Sequence, residues 1–116
     1  MWSEMSNVST SVITDEISAK VRSALGDKLH KIILYGSYAR GDYDVESDID
    51  IMVLADINEN DLPKIEKDLW DIGWDIGLDH NIMISIFLKD SNYFNKWLDA
   101  ITYYQNIEND GVVLYG

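Results

Sequence analysis

The residues whose types and spacing carry chemistry lie in one segment, Leu34-Tyr-Gly-Ser-Tyr-Ala-Arg-Gly-Asp-Tyr-Asp-Val-Glu-Ser-Asp-Ile-Asp-Ile-Met-Val-Leu54. Gly36-Ser37 follows a short apolar run and opens a turn at Tyr38. Such a turn presents backbone N–H groups at the positive end of a helix, where phosphate oxygens bind. Glycine lets that backbone approach a ligand closely. Arg40 is the one Lys or Arg between Lys31 and Lys64. It is placed either to clamp a phosphate or to pair with Asp42 or Asp44. Asp48 and Asp50 stand two apart at the entry to an expected strand, so both side chains leave the same face. Two adjacent carboxylates resist joint ionisation unless a divalent cation compensates them. Mg²⁺ suits such a pair, because it takes one or two carboxylate oxygens and completes its shell with water and phosphates.

The other polar candidates read as structural. Asp42, Asp44 and Glu46 form an acidic, solvated loop. His30 and His80 have no partners at metal-ligand spacing. Tyr103 and Tyr104 read as core and rim.

Composition excludes several classes. The chain has 116 residues, 47% of them apolar, with 9 Lys plus Arg against 21 Asp plus Glu, a formal net charge of -12. One domain with one core is expected at that length. With no Cys, thiolate metal sites, disulfides and a cysteine nucleophile are excluded, and a reducing compartment is permitted. The charge disfavours an extended nucleic acid or an anionic lipid surface as partner. The longest apolar run, Ile51 to Ala55, is far short of the roughly 18 residues of a membrane span. Residues 1–11 are polar and lack the features of a secretory signal. They are expected to form a flexible leader to a single domain over 12–116, in a cytoplasmic protein.

Around the polar segment the apolar spacing predicts alternating elements. A helix is expected over roughly 15–25, capped by Thr14, with Ile17, Val21, Ala24 and Leu25 on one face. Strands are expected over 31–35 and 49–54. A helix with Pro63 in its first turn continues through Leu69 and Ile76, with Trp70 and Trp74 one turn apart against the body. Gly73 and Gly77 are expected to loosen its end. A third strand, over 81–88, is expected to be covered on both faces. One helix then runs from Ser91 through Ile107, and Val112–Tyr115 forms a short strand or an apolar tail. The fold class is α/β (α+β), a small mixed sheet flanked by helices.

Gly36-Ser37, ten residues, then Asp48-Ile49-Asp50 resembles the signature of the DNA polymerase beta-like nucleotidyltransferase superfamily. Gly-Ser-Tyr-Ala-Arg-Gly with Ser47-Asp-Ile-Asp is similar to its minimal nucleotidyltransferase branch. The resemblance implies the nucleotidyltransferase fold, with Gly36, Ser37 and Arg40 binding the triphosphate of ATP. Asp48 and Asp50 would be catalytic residues holding one or two Mg²⁺ ions. An acceptor hydroxyl would attack the α-phosphate and pyrophosphate would leave, accelerated by position and electrostatics. Members of this size resemble the antitoxin half of a two-protein module whose partner is a small helical HEPN ribonuclease, adenylylated on a tyrosine.

One feature departs from the family pattern, which places a third carboxylate on a later strand. Here that strand reads His80-Asn-Ile-Met-Ile-Ser-Ile-Phe-Leu88. Ser85 stands near the expected position and Asp79 just before the strand. Two readings follow: an enzyme that transfers AMP to a partner protein as an antitoxin, or a catalytically weakened nucleotide-binding module that neutralises a partner by direct binding.

Overall fold

A computed structural model describes residues 2–116, with side chains from Thr10 onward. Its four strands are β1 (Leu29–Tyr35), β2 (Ile49–Ala55), β3 (Ile84–Asp90) and β4 (Val112–Tyr115). They form one sheet in the order β3-β2-β1-β4. β1 is antiparallel to both β2 and β4, whereas β2 and β3 are parallel. A parallel pair needs a crossover, and α3 (Leu62–His80) supplies it. The remaining helices are α1 (Trp2–Leu25), α2 (Ser37–Arg40), α4 (Ser91–Trp97) and α5 (Thr102–Asp110).

Side-chain alternation along β1 and β2 divides the core between the two sheet faces. Ile32, Leu34, Ile49, Ile51 and Val53 pack with Ile17 and Val21 of α1 and with Leu69 and Ile76 of α3. Ile33, Tyr35, Met52 and Leu54 face the other way, onto Phe94 of α4 and Tyr104 and Ile107 of α5. Burial on both faces accounts for the unbroken apolar runs at Ile32–Leu34 and Ile51–Ala55.

Several expectations change in the tertiary structure. The first helix begins at Trp2 and so enters the stretch expected as a leader. Met1 and the side chains of residues 2–9, Trp2 included, lie outside the described residues. The single helix expected from Ser91 to Ile107 is two helices, broken at 98–101. The break lets Phe94 and Tyr104 stack with ring centroids 4.7 Å apart beneath the sheet. Val112–Tyr115 is a strand, because β1 offers it a free edge.

β3 is not covered on both faces. It is an edge strand, and Phe87 is exposed. Nor do Trp70 and Trp74 lie against the body: they are 70% and 52% exposed and stack on each other, centroids 6.5 Å apart. The glycines beside them pack rather than loosen. A Cβ on Gly73 would sit 3.2 Å from the Ile84 carbonyl oxygen, and one on Gly77 only 2.6 Å from that of Ile82. Without those side chains α3 closes directly onto β3 and runs to His80. Among the described residues no helix is long and apolar enough to cross a membrane.

Candidate functional site

The antiparallel register of β1 and β2 pairs Tyr35 with Asp50. The residue after Tyr35, Gly36, is therefore carried over the Asp50 carboxylate. A Cβ on Gly36 would lie 2.7 Å from Asp50 Oδ2. Gly36 also has φ 78° and ψ -156°, a conformation nearly confined to glycine. It caps α2, whose first turn closes with the amides of Ala39 and Arg40 donating to the Gly36 carbonyl, each at 3.1 Å. Ser37 and Tyr38 thus stand at the head of this turn, beside the carboxylate. The turn ends at Gly41, in the left-handed region at φ 85°.

Asp48 is exposed and Asp50 half-buried, on either side of Ile49, which is fully buried in the opposite layer. Burial, then the negative charge of Asp48, raises the Asp50 pKa above the ordinary aspartate value. The pair is a site of excess negative charge that a cation would relieve. Among the described residues, no cluster of three or more His, Cys, Asp or Glu could hold a metal ion. Two hard oxygen donors fit Mg²⁺ that arrives with phosphate and water ligands, and do not make an all-protein cage.

The parallel register of β2 and β3 sets Ser85 directly beside Asp50. A hydroxyl, not a carboxylate, therefore neighbours Asp50 on this strand. Asp79 does not supply the carboxylate. Asp50 shares its face of β2 with Met52 and Leu54, which pack on α4 and α5, whereas Asp79 belongs to α3 on the opposite face. Asp90, at the far end of β3, accepts the amides of Ile57 and Tyr93.

Arg40 points to the exposed loop, its Nε 3.3 Å from Asp42 Oδ2. The acids of that loop are not equivalent. Asp44 accepts the Glu46 amide at 2.9 Å, and the Asp44 amide donates to Ser47 Oγ at 2.9 Å. Asp44 and Ser47 thus close the turn that delivers Asp48 to β2. Tyr38 and Tyr43 stack across the same loop with centroids 4.2 Å apart.

Sequence reasoning missed Tyr35. Its hydroxyl lies 2.8 Å from that of Tyr103 on α5. Burial, the Tyr103 hydrogen bond and the nearby charges of Tyr103 and Asp50 all raise its pKa, so the hydroxyl stays protonated. Only the strand register, invisible without β1–β2 pairing, could have placed it beside Asp50. The two histidines read as structural each meet one carboxylate: His30 meets Asp56 at 2.9 Å and His80 meets Glu16 at 3.4 Å.

Comparison with known proteins bears on family and fold. A family model described as a nucleotidyltransferase domain matches residues 15–107. Two Methanocaldococcus jannaschii proteins, MJ0141 and MJ0604, are named as candidate protein adenylyltransferases. The first is 34% identical over 92 residues, covering 79% of this chain and 91% of its own. The second is 33% identical over 95 residues, covering 82% and 87%. Two crystal structures share the fold: a toxin–antitoxin with AMP-PNP and a mutant of the toxin–antitoxin MntA–HpeT. The first has a TM-score of 0.56 at 22% identity over 86% of this chain and 71% of its own. The second has a TM-score of 0.55 at 20% identity over 84% and 69%.

Proposed function

The chain belongs to the nucleotidyltransferase domain family, and from that premise we propose that it binds a Mg²⁺ complex of ATP and neutralises a partner protein by direct contact, with weakened AMP transfer. The observation that carries this reading is the pairing of Asp50 with Ser85. A hydroxyl stands where a third carboxylate would complete the metal site.

Each residue has a role in that reading. The Gly36-Ser37 turn receives the triphosphate through its backbone, and Arg40 leaves Asp42 to pair with a phosphate. Asp48 and Asp50 hold one or two Mg²⁺ ions through carboxylate oxygens. The metal, when bound, screens the phosphate charge and polarises the α-phosphate. The proposed partner is a small helical protein of the HEPN type, with this chain as antitoxin. The toxin–antitoxin structures that share the fold support that choice. Cytoplasmic residence is part of the same proposal.

A second reading is favoured by the names of the Methanocaldococcus jannaschii relatives. In it the protein transfers AMP to a tyrosine hydroxyl of the partner. The hydroxyl oxygen bonds to the α-phosphorus, the bond to the bridging oxygen breaks, pyrophosphate leaves, and the phenolic proton passes to solvent.

Two measurements on the same samples separate these readings. Mg²⁺ with ATP should raise the melting temperature by mass action, whereas ATP with chelator should not. The double variant Asp48→Asn, Asp50→Asn should lose that shift, and stabilisation equal to wild type would remove the site assignment. ATP labelled on the α-phosphate should leave the protein encoded next to this one labelled far below one AMP per molecule, with neutralisation unchanged when ATP is left out. Near-stoichiometric label on that protein, absent with the double variant and required for neutralisation, would establish the second reading.

A further inference from the structure

Trp70, Trp74 and Leu78 project from α3, and Met83 and Phe87 from the neighbourhood of β3, all of them exposed. Together they wall a groove of about 610 Å³ that follows the sheet edge, and among the described residues no charged side chain lines it. Its floor is Ile82, Ile84 and Ile86, brought under the helix by the close approach of Gly73 and Gly77. The groove reaches Ser85, the register neighbour of Asp50.

Charge selects the occupant. α3 carries five carboxylates, Glu66, Asp68, Asp71, Asp75 and Asp79, against Lys64 and Lys67. The whole chain carries -12, so a second copy would meet like charge. An apolar surface within a negative field matches a segment that is apolar on one side and basic at its flanks. Shape selects a helix over an added strand. α3 backbone lies against the carbonyls of Ile82, in the turn before β3, and of Ile84, the first residue of β3, so the start of the β3 edge is already covered. What remains exposed is side-chain surface, of the aromatic type that anchors interfaces. From Leu69 to Leu78 the wall is about 14 Å long, room for about two and a half helical turns.

We infer that the groove between α3 and β3 docks a basic amphipathic helix of a partner protein. This rests on the partner-binding reading above and names the surface that would carry it.

The test uses the full chain and a fluorescein-labelled peptide of about eighteen residues, built of Leu and Lys at helical spacing. Fluorescence anisotropy should show saturable binding. The same composition scrambled, and a Leu/Glu peptide of the same spacing, should not bind. Trp70→Ser with Trp74→Ser should weaken binding at least about tenfold, and Trp74→Phe should retain most of it. Both positions are exposed, and circular dichroism checks that the variants fold. Equal binding of the scrambled peptide, or undiminished binding by the double Ser variant, would overturn the inference. So would a wild-type dimer by light scattering that the double Ser variant abolishes, since the groove would then belong to a second copy. The Mg²⁺-dependent ATP stabilisation is measured on the same samples. Its loss with peptide binding intact would sink the nucleotide reading alone, and peptide failure with the stabilisation intact would sink the groove alone.

Discussion

The Asp50 carboxylate lies over Gly36 so closely that a Cβ on the glycine would be 2.7 Å from Asp50 Oδ2. The contact joins the two halves of the motif, and it follows from the pairing of Tyr35 with Asp50. Gly36→Ala would meet both the carboxylate and a backbone conformation that only glycine adopts freely. It should destabilise the protein by about 1–3 kcal/mol in urea denaturation. It should also remove the Mg²⁺-dependent ATP stabilisation. A variant that kept both would show that the turn tolerates a side chain and that the contact is incidental.

The pH dependence of stability should carry the mark of Asp50. Its pKa is raised from 3.8 by burial and then by Asp48, so the folded state binds more protons than the unfolded chain in that range. Stability from this group therefore falls as pH rises from the ordinary value toward the folded one, and is level above it. Nucleotide-free Asp50→Asn should melt higher than wild type at neutral pH, and the difference should shrink as pH falls toward about 4. Calorimetry across that range checks the sign. A variant that melts lower at neutral pH would mean that the carboxylate is satisfied as it stands.

On the proposed reading, an acid at the neighbouring strand position should strengthen AMP transfer. Ser85→Asp would place a third carboxylate beside Asp50. The nucleotide-free variant should melt lower, from added repulsion, and should bind Mg²⁺ or Mn²⁺ at least about tenfold more tightly. Label transfer from α-labelled ATP to the partner should rise with it. Unchanged transfer despite tighter metal binding would show that Ser85 does not limit the reaction.

Replacing glycine by alanine inside a helix ordinarily stabilises by about 1 kcal/mol. At Gly77 the sign should reverse, because the added Cβ would lie 2.6 Å from the Ile82 carbonyl oxygen and force open the turn that leads from α3 into β3. Gly77→Ala should destabilise by about 1–3 kcal/mol, with a smaller effect for Gly73→Ala, where the approach is 3.2 Å. Equilibrium unfolding of both variants measures the order. A stabilised Gly77→Ala would mean that the helix end is loose after all.

Much of the site was legible because its parts are local. Gly36, Ser37, Asp48 and Asp50 announce themselves through residue type and spacing, and the structure brings Gly36 and Asp50 into contact. Arg40 was legible only as a choice, and its guanidinium lies on Asp42. Tyr35 was not legible, because a tyrosine at a strand end looks like core until the opposing strand is in register. The separate roles of Asp44 and Ser47 were hidden for the same reason: an acidic loop has no period from which to read its hydrogen bonds.

By itself the sequence determined β1, β2, β3 and α3, their order and the carboxylate pair, since helix and strand periodicity and the geometry of an Asp-x-Asp are properties of neighbours along the chain. Only the tertiary structure decided which residues meet across strands. It set Ser85 beside Asp50, sent Asp79 to the opposite face, and left Trp70 and Trp74 exposed on a helix whose glycines press against the sheet. The reason is physical: register and edge position depend on pairing between segments far apart in the chain. A strand shifted by one residue turns every side chain to the other face.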